Sequence, residues 1–75
     1  MSAVTLDVKG LKCPLPVLKA RKAMKALPPG GRLLVLATDP GAVSDFEHFC
    51  KTTGAKLLSS REEGGVFEFE LEKAG

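Results

Sequence analysis

The sequence predicts an α/β two-layer sandwich, in which two helices pack on one face of a four-stranded mixed sheet. Two amphipathic segments alternate with strand-like segments in the order β-α-β-α-β-β, and no repeat, linker or low-complexity tract interrupts them. Each crossover from a strand through a helix to a parallel strand should be right-handed, which places both helices on the same face. We expect a single domain over residues 1–75, with a thin core.

Four short segments carry strand patterns. Residues 4–8 alternate between apolar and polar side chains, and residues 33–37 form an unbroken apolar run typical of a central strand paired on both edges. Residues 56–59 and 66–72 predict the last two strands, joined by a turn at residues 62–65. The last strand has an apolar face and an acidic face, formed by Phe67, Phe69 and Leu71 and by Glu68, Glu70 and Glu72, respectively.

The first predicted helix runs from about Pro14 to Leu27 and ends at a Pro-Pro-Gly-Gly sequence. Its apolar arc comprises Val17, Ala20, Ala23, Met24 and Leu27, and its basic arc comprises Lys19, Arg21, Lys22 and Lys25. Leu15 and Leu18 project into the basic arc close to Cys13, which favours a docking surface. The predicted docking residues are Lys12, Leu18, Lys19, Arg21 and Lys22, beside Leu15. Single exposed leucines are common, so an ordinary solvated face stays the alternative.

The second helix is predicted to begin at Thr38-Asp39-Pro40, with Asp39 as N-cap and Pro40 at the first helical position. Its apolar arc comprises Ala42, Val43, Phe46, Phe49, Cys50 and Thr53. The opposite arc comprises Ser44, Glu47, His48 and Lys51. Gly54 suits the position that closes a helix C-terminus.

The charges are unevenly distributed, although the net charge is only +2. Residues 1–32 carry seven Lys/Arg and one acidic residue, whereas residues 33–75 carry four Lys/Arg and eight acidic residues. This asymmetry is consistent with an acidic partner or RNA at the N-terminal half, or with two ordinary solvated faces. Two cysteines do not make a disulfide framework, and neither a signal-peptide pattern nor a membrane-spanning stretch is present. We therefore expect a cytoplasmic protein with free thiols.

Cys13 is the candidate reactive residue. It falls at the predicted N-cap of the first helix, where orphan N–H groups and the helix dipole favour the thiolate. Thiol pKa values at such positions fall to ~3.5–7.5 from about 8.5. Pro14 and Pro16 stiffen the backbone beyond it, and Pro16 has no N–H to hold the sulfur. With Gly10 free to adopt a turn conformation, we expect a thiolate that is lightly held and presented to a partner.

The groups that usually assist an enzyme thiol are missing around Cys13. No second cysteine follows three residues later, and His48 projects away from the core on the second helix. Cys50 lies on an apolar arc, where a cysteine behaves as an inert small hydrophobe. A metal site is not predicted, because His48 and Cys50 face opposite sides of one helix. A single activated thiol suits a protein that holds a group covalently, and a persulfide is the natural cargo.

The sequence resembles the TusA (SirA-like) family of sulfur carrier proteins over about Val4 to Lys73. The resemblance is carried by Leu6-Asp7, Gly10-Leu11, Cys13-Pro14-Leu15-Pro16, Thr38-Asp39-Pro40, Asp45-Phe46 and Phe49-Cys50 through Gly54. It implies that Cys13 carries persulfide sulfur from a cysteine desulfurase or a rhodanese-like sulfurtransferase, without a cofactor. The implied acceptors lie in tRNA 2-thiouridine synthesis, in sulfur oxidation through DsrE-like or heterodisulfide-reductase-like proteins, or in molybdenum cofactor synthesis. Leu15 stands where tRNA-thiolation members tend to carry an acidic residue, which favours sulfur oxidation or general trafficking.

Two other classes of function stay open at this point. The basic first helix is consistent with an RNA-binding or regulatory module, although the chain has no Trp or Tyr and only four Phe. A stand-alone redox or sulfurtransferase enzyme is the third possibility, but there is no anion-binding loop around Cys13. We expect a monomeric covalent carrier that is not itself an enzyme, and neither direct nucleic-acid binding nor membrane binding.

Overall fold

The computed structural model describes residues 4–12 and 15–74, so Cys13 and Pro14 lie outside the described residues. The elements are β1 (Val4–Asp7), α1 (Leu15–Lys25), β2 (Arg32–Ala37), α2 (Ala42–Thr53), β3 (Lys56–Glu63) and β4 (Val66–Glu72). The strand order in the sheet is β1-β2-β4-β3, with β1 parallel to β2 and the other two pairings antiparallel. The predicted four-stranded mixed sheet with two helices is confirmed, and β2 is paired on both edges as expected.

The core lies between the two helices and one face of the sheet. The fully buried side chains of the two central strands are Leu33, Val35, Ala37, Phe69 and Leu71. Those of the helices that meet them are Ala20, Met24, Ala42, Phe46 and Phe49, all at most 6% exposed. The rings of Phe46 and Phe69 stack with their centroids 4.9 Å apart, which joins α2 to β4 at the centre of the core.

The α1 helix has the predicted two faces. Ala20 and Met24 are buried, and the basic residues Lys19, Arg21, Lys22 and Lys25 are exposed. Leu15 and Leu18 are 46% and 53% exposed, so the structure places them in solvent on the basic side of the helix. Pro16 was expected to act through its backbone, but its ring is fully buried. It therefore also contributes apolar contact area where α1 begins.

The α2 helix begins at Ala42, two residues later than predicted, and the expected N-cap role of Asp39 is wrong. Gly41 is the N-cap residue and makes no side-chain cap hydrogen bond. The Asp39 Oδ1 atom accepts from the Gly41 N–H at 3.2 Å, and the Asp39 carbonyl accepts from the Ala42 N–H at 2.9 Å. Asp39 thus closes a local turn that precedes the helix, a conformation that competes with direct capping. Gly54 ends α2 as predicted, with φ +79° and its N–H donating to the Cys50 carbonyl at 3.0 Å.

The β3 strand extends to Glu63, beyond the predicted residues 56–59. The turn to β4 contains only Gly64 and Gly65, whose φ angles of +59° and +84° match the two-residue type I′ hairpin. The strand was underestimated because it lies at the edge of the sheet. Its residues after Ser59 are polar and exposed, and an apolar periodicity does not identify them.

Replacing Phe46 with Ala should lower the free energy of unfolding by about 3–5 kcal/mol, because the ring is fully buried and stacks on Phe69. Urea unfolding followed by circular dichroism would measure the loss. The control is Leu58→Ala, which truncates a side chain that is 42% exposed and should cost less than about 1 kcal/mol. Similar losses in the two variants would contradict this account of the core.

Candidate functional site

The candidate site lies at the end of the sheet formed by the carboxyl ends of the parallel strands β1 and β2. The β1 strand ends at Asp7 and β2 ends at Ala37, so the two following loops leave the sheet side by side. The cleft between these loops is lined by Gly10, Leu11, Lys12, Thr38, Asp39 and Pro40. Crevices at the carboxyl ends of parallel strands are where ligands of open α/β sheets bind. Cys13 directly follows the last described residue of the first loop, Lys12.

Hydrogen bonds define the course of the loop after β1. The Asp7 Oδ1 atom accepts from the Lys9 N–H at 3.0 Å, and the Val8 carbonyl accepts from the Leu11 N–H at 3.2 Å. Gly10 has φ +83°, which the third position of a type II turn requires and which favours glycine. The turn predicted at Gly10 is therefore present, and it directs the chain across the end of β2.

A further bond ties this loop to the loop after β2. The Gly10 N–H donates to the Thr38 Oγ1 atom at 2.9 Å, across 28 residues of sequence. On the other side of Cys13 and Pro14, the Lys12 carbonyl accepts from the Leu15 N–H at 2.9 Å, where α1 begins. Described hydrogen bonds therefore hold the chain both before and after the candidate cysteine.

Asp7 and Lys9 form a local ion pair at the base of the loop. The Lys9 Nζ atom donates to the Asp7 Oδ2 atom at 2.9 Å, and both side chains are exposed. This bond, and then the Lys9 backbone N–H, hold the pKa of the Asp7 carboxyl below its ordinary value. Because it shapes the loop in its ionised form, Asp7 belongs to the structural support of the site.

The second cysteine, Cys50, lies on α2. It is half-buried on α2 and packs against the core, as its place on the apolar arc predicted. Burial raises the pKa of the Cys50 thiol, because the charged form loses solvation. At neutral pH its reactive thiolate is therefore scarce.

The predicted docking residues are all on the surface. Lys12 is exposed in the loop, and Leu15, Leu18, Lys19 and Lys22 are exposed on α1, three or four residues apart along one side of the helix. Arg21 is also exposed, but it lines a separate cleft with Met24 and Phe49 near the C-terminal ends of the two helices. The exposed residues just before Cys13 in the sequence and along this side of α1 therefore combine two leucines with three lysines.

Other candidate groups do not join this site. His48 is exposed on α2, on the arc opposite to the one that packs on the sheet. Within residues 4–12 and 15–74, no group of three His, Cys, Asp or Glu side chains is arranged to hold a metal ion. In the same part of the chain, neither helix combines the length and the apolar character needed to cross a membrane.

The sequence alone did not predict that two residues of the site, Thr38 and Asp7, form hydrogen bonds that hold the loop. Thr38 was interpreted as part of a helix start and Asp7 as a polar position of a strand, and both also belong to the segments that carry the family resemblance. The sequence offers one weak signal for Asp7, since an aspartate side chain can accept a hydrogen bond from the backbone N–H two residues later. No local pattern identifies Thr38, because its partner Gly10 is distant in sequence.

The family model described as Sulfurtransferase TusA matches residues 4–73 of this chain. The chain belongs to the TusA family. The matched segment includes both loops of the cleft and all of the described docking residues. The resemblance stated from the Cys-Pro-Leu-Pro and Thr-Asp-Pro segments is therefore confirmed.

Individual TusA relatives agree with this assignment. The sulfur carrier protein TusA of Allochromatium vinosum is 52% identical over 69 residues, which cover 92% of this chain and 91% of that protein. The sulfur carrier protein TusA of Pseudomonas entomophila is 42% identical over 69 residues, which cover 92% and 86%. The chain thus belongs to a family of sulfur carriers.

A solved structure shares the fold. The crystal structure of the SirA-like protein from Desulfitobacterium hafniense has a TM-score of 0.82 to this structure. The superposition covers 96% of this chain and 99% of the other, at 24% sequence identity. At that identity the likeness concerns the fold, and it agrees with the predicted SirA-like sandwich.

Removing the Lys9 side chain should raise the pKa of the Asp7 carboxyl toward its ordinary value of 3.8. The folded pKa is depressed, so the interaction stabilises the protein above the unfolded pKa, and this contribution is lost as pH falls through the folded pKa. An NMR titration of the Asp7 carboxyl in Lys9→Ala would measure the change. Lys12→Ala removes another exposed lysine of the same loop and should leave the Asp7 pKa unchanged. An Asp7 pKa at or above 3.8 in the unmodified protein would contradict the assignment.

Proposed function

We propose that this protein carries sulfur as a persulfide on Cys13 and passes it between partner proteins. The observation that carries the proposal is the position of Cys13 in the sequence. It directly follows a loop held at the carboxyl ends of two parallel strands and stands two residues before the first residue of α1. Membership of a sulfur carrier family supports the nature of the cargo.

The transfer needs only a thiolate on the carrier. The Cys13 thiolate attacks the terminal sulfur of a donor persulfide, so a new S–S bond forms on Cys13 while the donor's S–S bond breaks. The donor cysteine leaves as a thiolate, and the same exchange in the opposite direction delivers the sulfur to an acceptor thiolate. No electrons are gained or lost overall, so the step requires neither a cofactor nor a metal. The protein acts as a covalent carrier within sulfurtransferase reactions, not as a stand-alone enzyme.

The exposed side of α1 supports docking to an acidic partner. Leu15 and Leu18 offer apolar contacts, and Lys19 and Lys22 lie beside them with no carboxylate within the first turn of α1. A cysteine desulfurase or a rhodanese-like sulfurtransferase is the proposed donor, and a DsrE-like or heterodisulfide-reductase-like protein the proposed acceptor. Leu15 between the prolines favours sulfur oxidation or general sulfur trafficking over tRNA thiolation. A cytoplasmic, monomeric carrier suits an exchange that must reach several partners.

The alternative of an RNA-binding module gains no support from the placement of the aromatic residues. Phe46, Phe49 and Phe69 are buried, and Phe67 is half-buried against the core. The chain contains no Trp or Tyr, so it has no aromatic platform on which bases could stack.

Incubation with a cysteine desulfurase and cysteine should add the mass of one sulfur atom to the protein. Intact-mass spectrometry would detect the adduct, and a reducing agent should remove it. Cys13→Ser should abolish the adduct, whereas Cys50→Ser should retain it, because the half-buried Cys50 thiol has a raised pKa. An adduct that persists in Cys13→Ser, or that Cys50→Ser removes, would overturn the proposed carrier residue.

Charge reversal on α1 should slow the loading of sulfur without unfolding the protein. We expect Lys22→Glu combined with Lys19→Glu to lower the second-order rate of persulfide formation by roughly tenfold at low salt, because steering toward an acidic donor is lost. The effect should shrink at high salt. Samples quenched at a series of reaction times and analysed by mass spectrometry would give the rates.

To separate the docking surface from net charge, the single variant Lys22→Glu is compared with a matched control, Lys51→Glu. Both lysines are exposed and lie in the last turn of a helix, and both substitutions change the net charge equally. Equal slowing by the two variants would assign the effect to net charge and would remove α1 as the docking surface.

A further inference from the structure

The hydrogen bond between Gly10 and Thr38 continues the β1–β2 ladder beyond the strands. The Val8 N–H, just after β1, donates to the Leu36 carbonyl at 2.8 Å. In a parallel ladder the next bond from the same strand lies two residues further on in both chains. The register therefore pairs the Gly10 N–H with Thr38. The acceptor is the Thr38 hydroxyl oxygen at 2.9 Å, so a side chain takes the place of the backbone carbonyl.

The course of the chain after each strand explains why a side-chain oxygen, and not a backbone carbonyl, accepts the Gly10 N–H. After Ala37 the chain turns away into the turn closed by the Asp39 carboxylate and the Gly41 N–H, so the ladder on β2 ends. On the other side, the turn from Val8 to Leu11 holds Gly10 at φ +83° and directs its N–H to the second loop. The Thr38 hydroxyl reaches across this divergence, and its β-branched side chain restricts the rotamers that it can adopt.

We propose that Thr38 is a positioning residue for Cys13. By accepting the Gly10 N–H, its hydroxyl oxygen fixes the loop that leads through Leu11 and Lys12 to the cysteine. Thr38 acts through the loop and takes no part in the exchange of sulfur. The β2–α2 loop thereby sets the reactivity of a thiol on the β1–α1 loop. The inference rests on the proposed role of Cys13, but reactivity toward a small reagent tests it without any sulfur donor.

The test compares Thr38→Val and Thr38→Ala with Thr38→Ser. Valine keeps the branched shape without the acceptor, alanine removes both, and serine keeps the acceptor. Amide hydrogen exchange of Gly10 reports the hydrogen bond, and the rate of alkylation of Cys13 by iodoacetamide at pH 7 reports the thiol. Cys50 is alkylated in the same sample, and its rate reports any general loosening of the fold. Persulfide loading, measured separately, tests the proposed function independently.

We expect Thr38→Val and Thr38→Ala to lower the hydrogen-exchange protection factor of the Gly10 amide by roughly fivefold, which corresponds to the loss of one hydrogen bond. Both should also slow Cys13 alkylation by about threefold or more, because a loop that is no longer fixed keeps the thiol for less of the time where the helix N-terminus favours the thiolate. Thr38→Ser should stay near the unmodified protein in both measurements, and the Cys50 rate should not change. Gly10 protection lost with an unchanged Cys13 rate would overturn the proposal. Failure of Thr38→Ser to preserve the Cys13 rate, or parallel acceleration of Cys50, would overturn it as well.

Discussion

Parallel pairing of β1 with β2 puts the ends of both strands, and therefore both loops of the site, at the same edge of the sheet. Pairing between β1 and β2 is carried beyond the strands by the Val8 N–H bond to Leu36 and by the Gly10 N–H bond to the Thr38 hydroxyl. In an antiparallel arrangement of the same two strands, these loops would lie at opposite ends of the strands. The cleft between the two loops thus depends on the topology as much as on the residues that line it.

The rest of the molecule keeps the ends of these strands in place and partly buries Cys50. The stacked rings of Phe46 and Phe69 join α2 to the centre of the sheet, and the buried Pro16 ring adds contact area at the start of α1. Cys50 is half-buried against this core, where desolvation raises its thiol pKa. In the sequence Cys13 stands between Lys12, whose side chain is exposed, and Pro14, two residues before the first residue of α1.

Much of the fold follows from local patterns, and what does not follow has identifiable causes. Alternation along β4 and the apolar run of β2 placed both central strands, because burial selects their side chains. The polar end of β3 lacks such selection, so its length was underestimated. The Asp-Pro sequence led to the prediction that Asp39 is the N-cap of α2, whereas the Asp39 carboxylate closes a turn that precedes the helix. The Thr38 contact with Gly10 joins residues 28 positions apart, which a local pattern does not reveal.

We propose that this framework keeps Cys13 as a thiolate ready for exchange. The most direct test is the pH dependence of iodoacetamide alkylation of Cys13 in a Cys50→Ser background, which gives the apparent pKa of the single remaining thiol. We expect a midpoint clearly below about 8.5, the ordinary pKa of cysteine, because the N-terminus of a helix stabilises the thiolate. A midpoint at or above that value would contradict it.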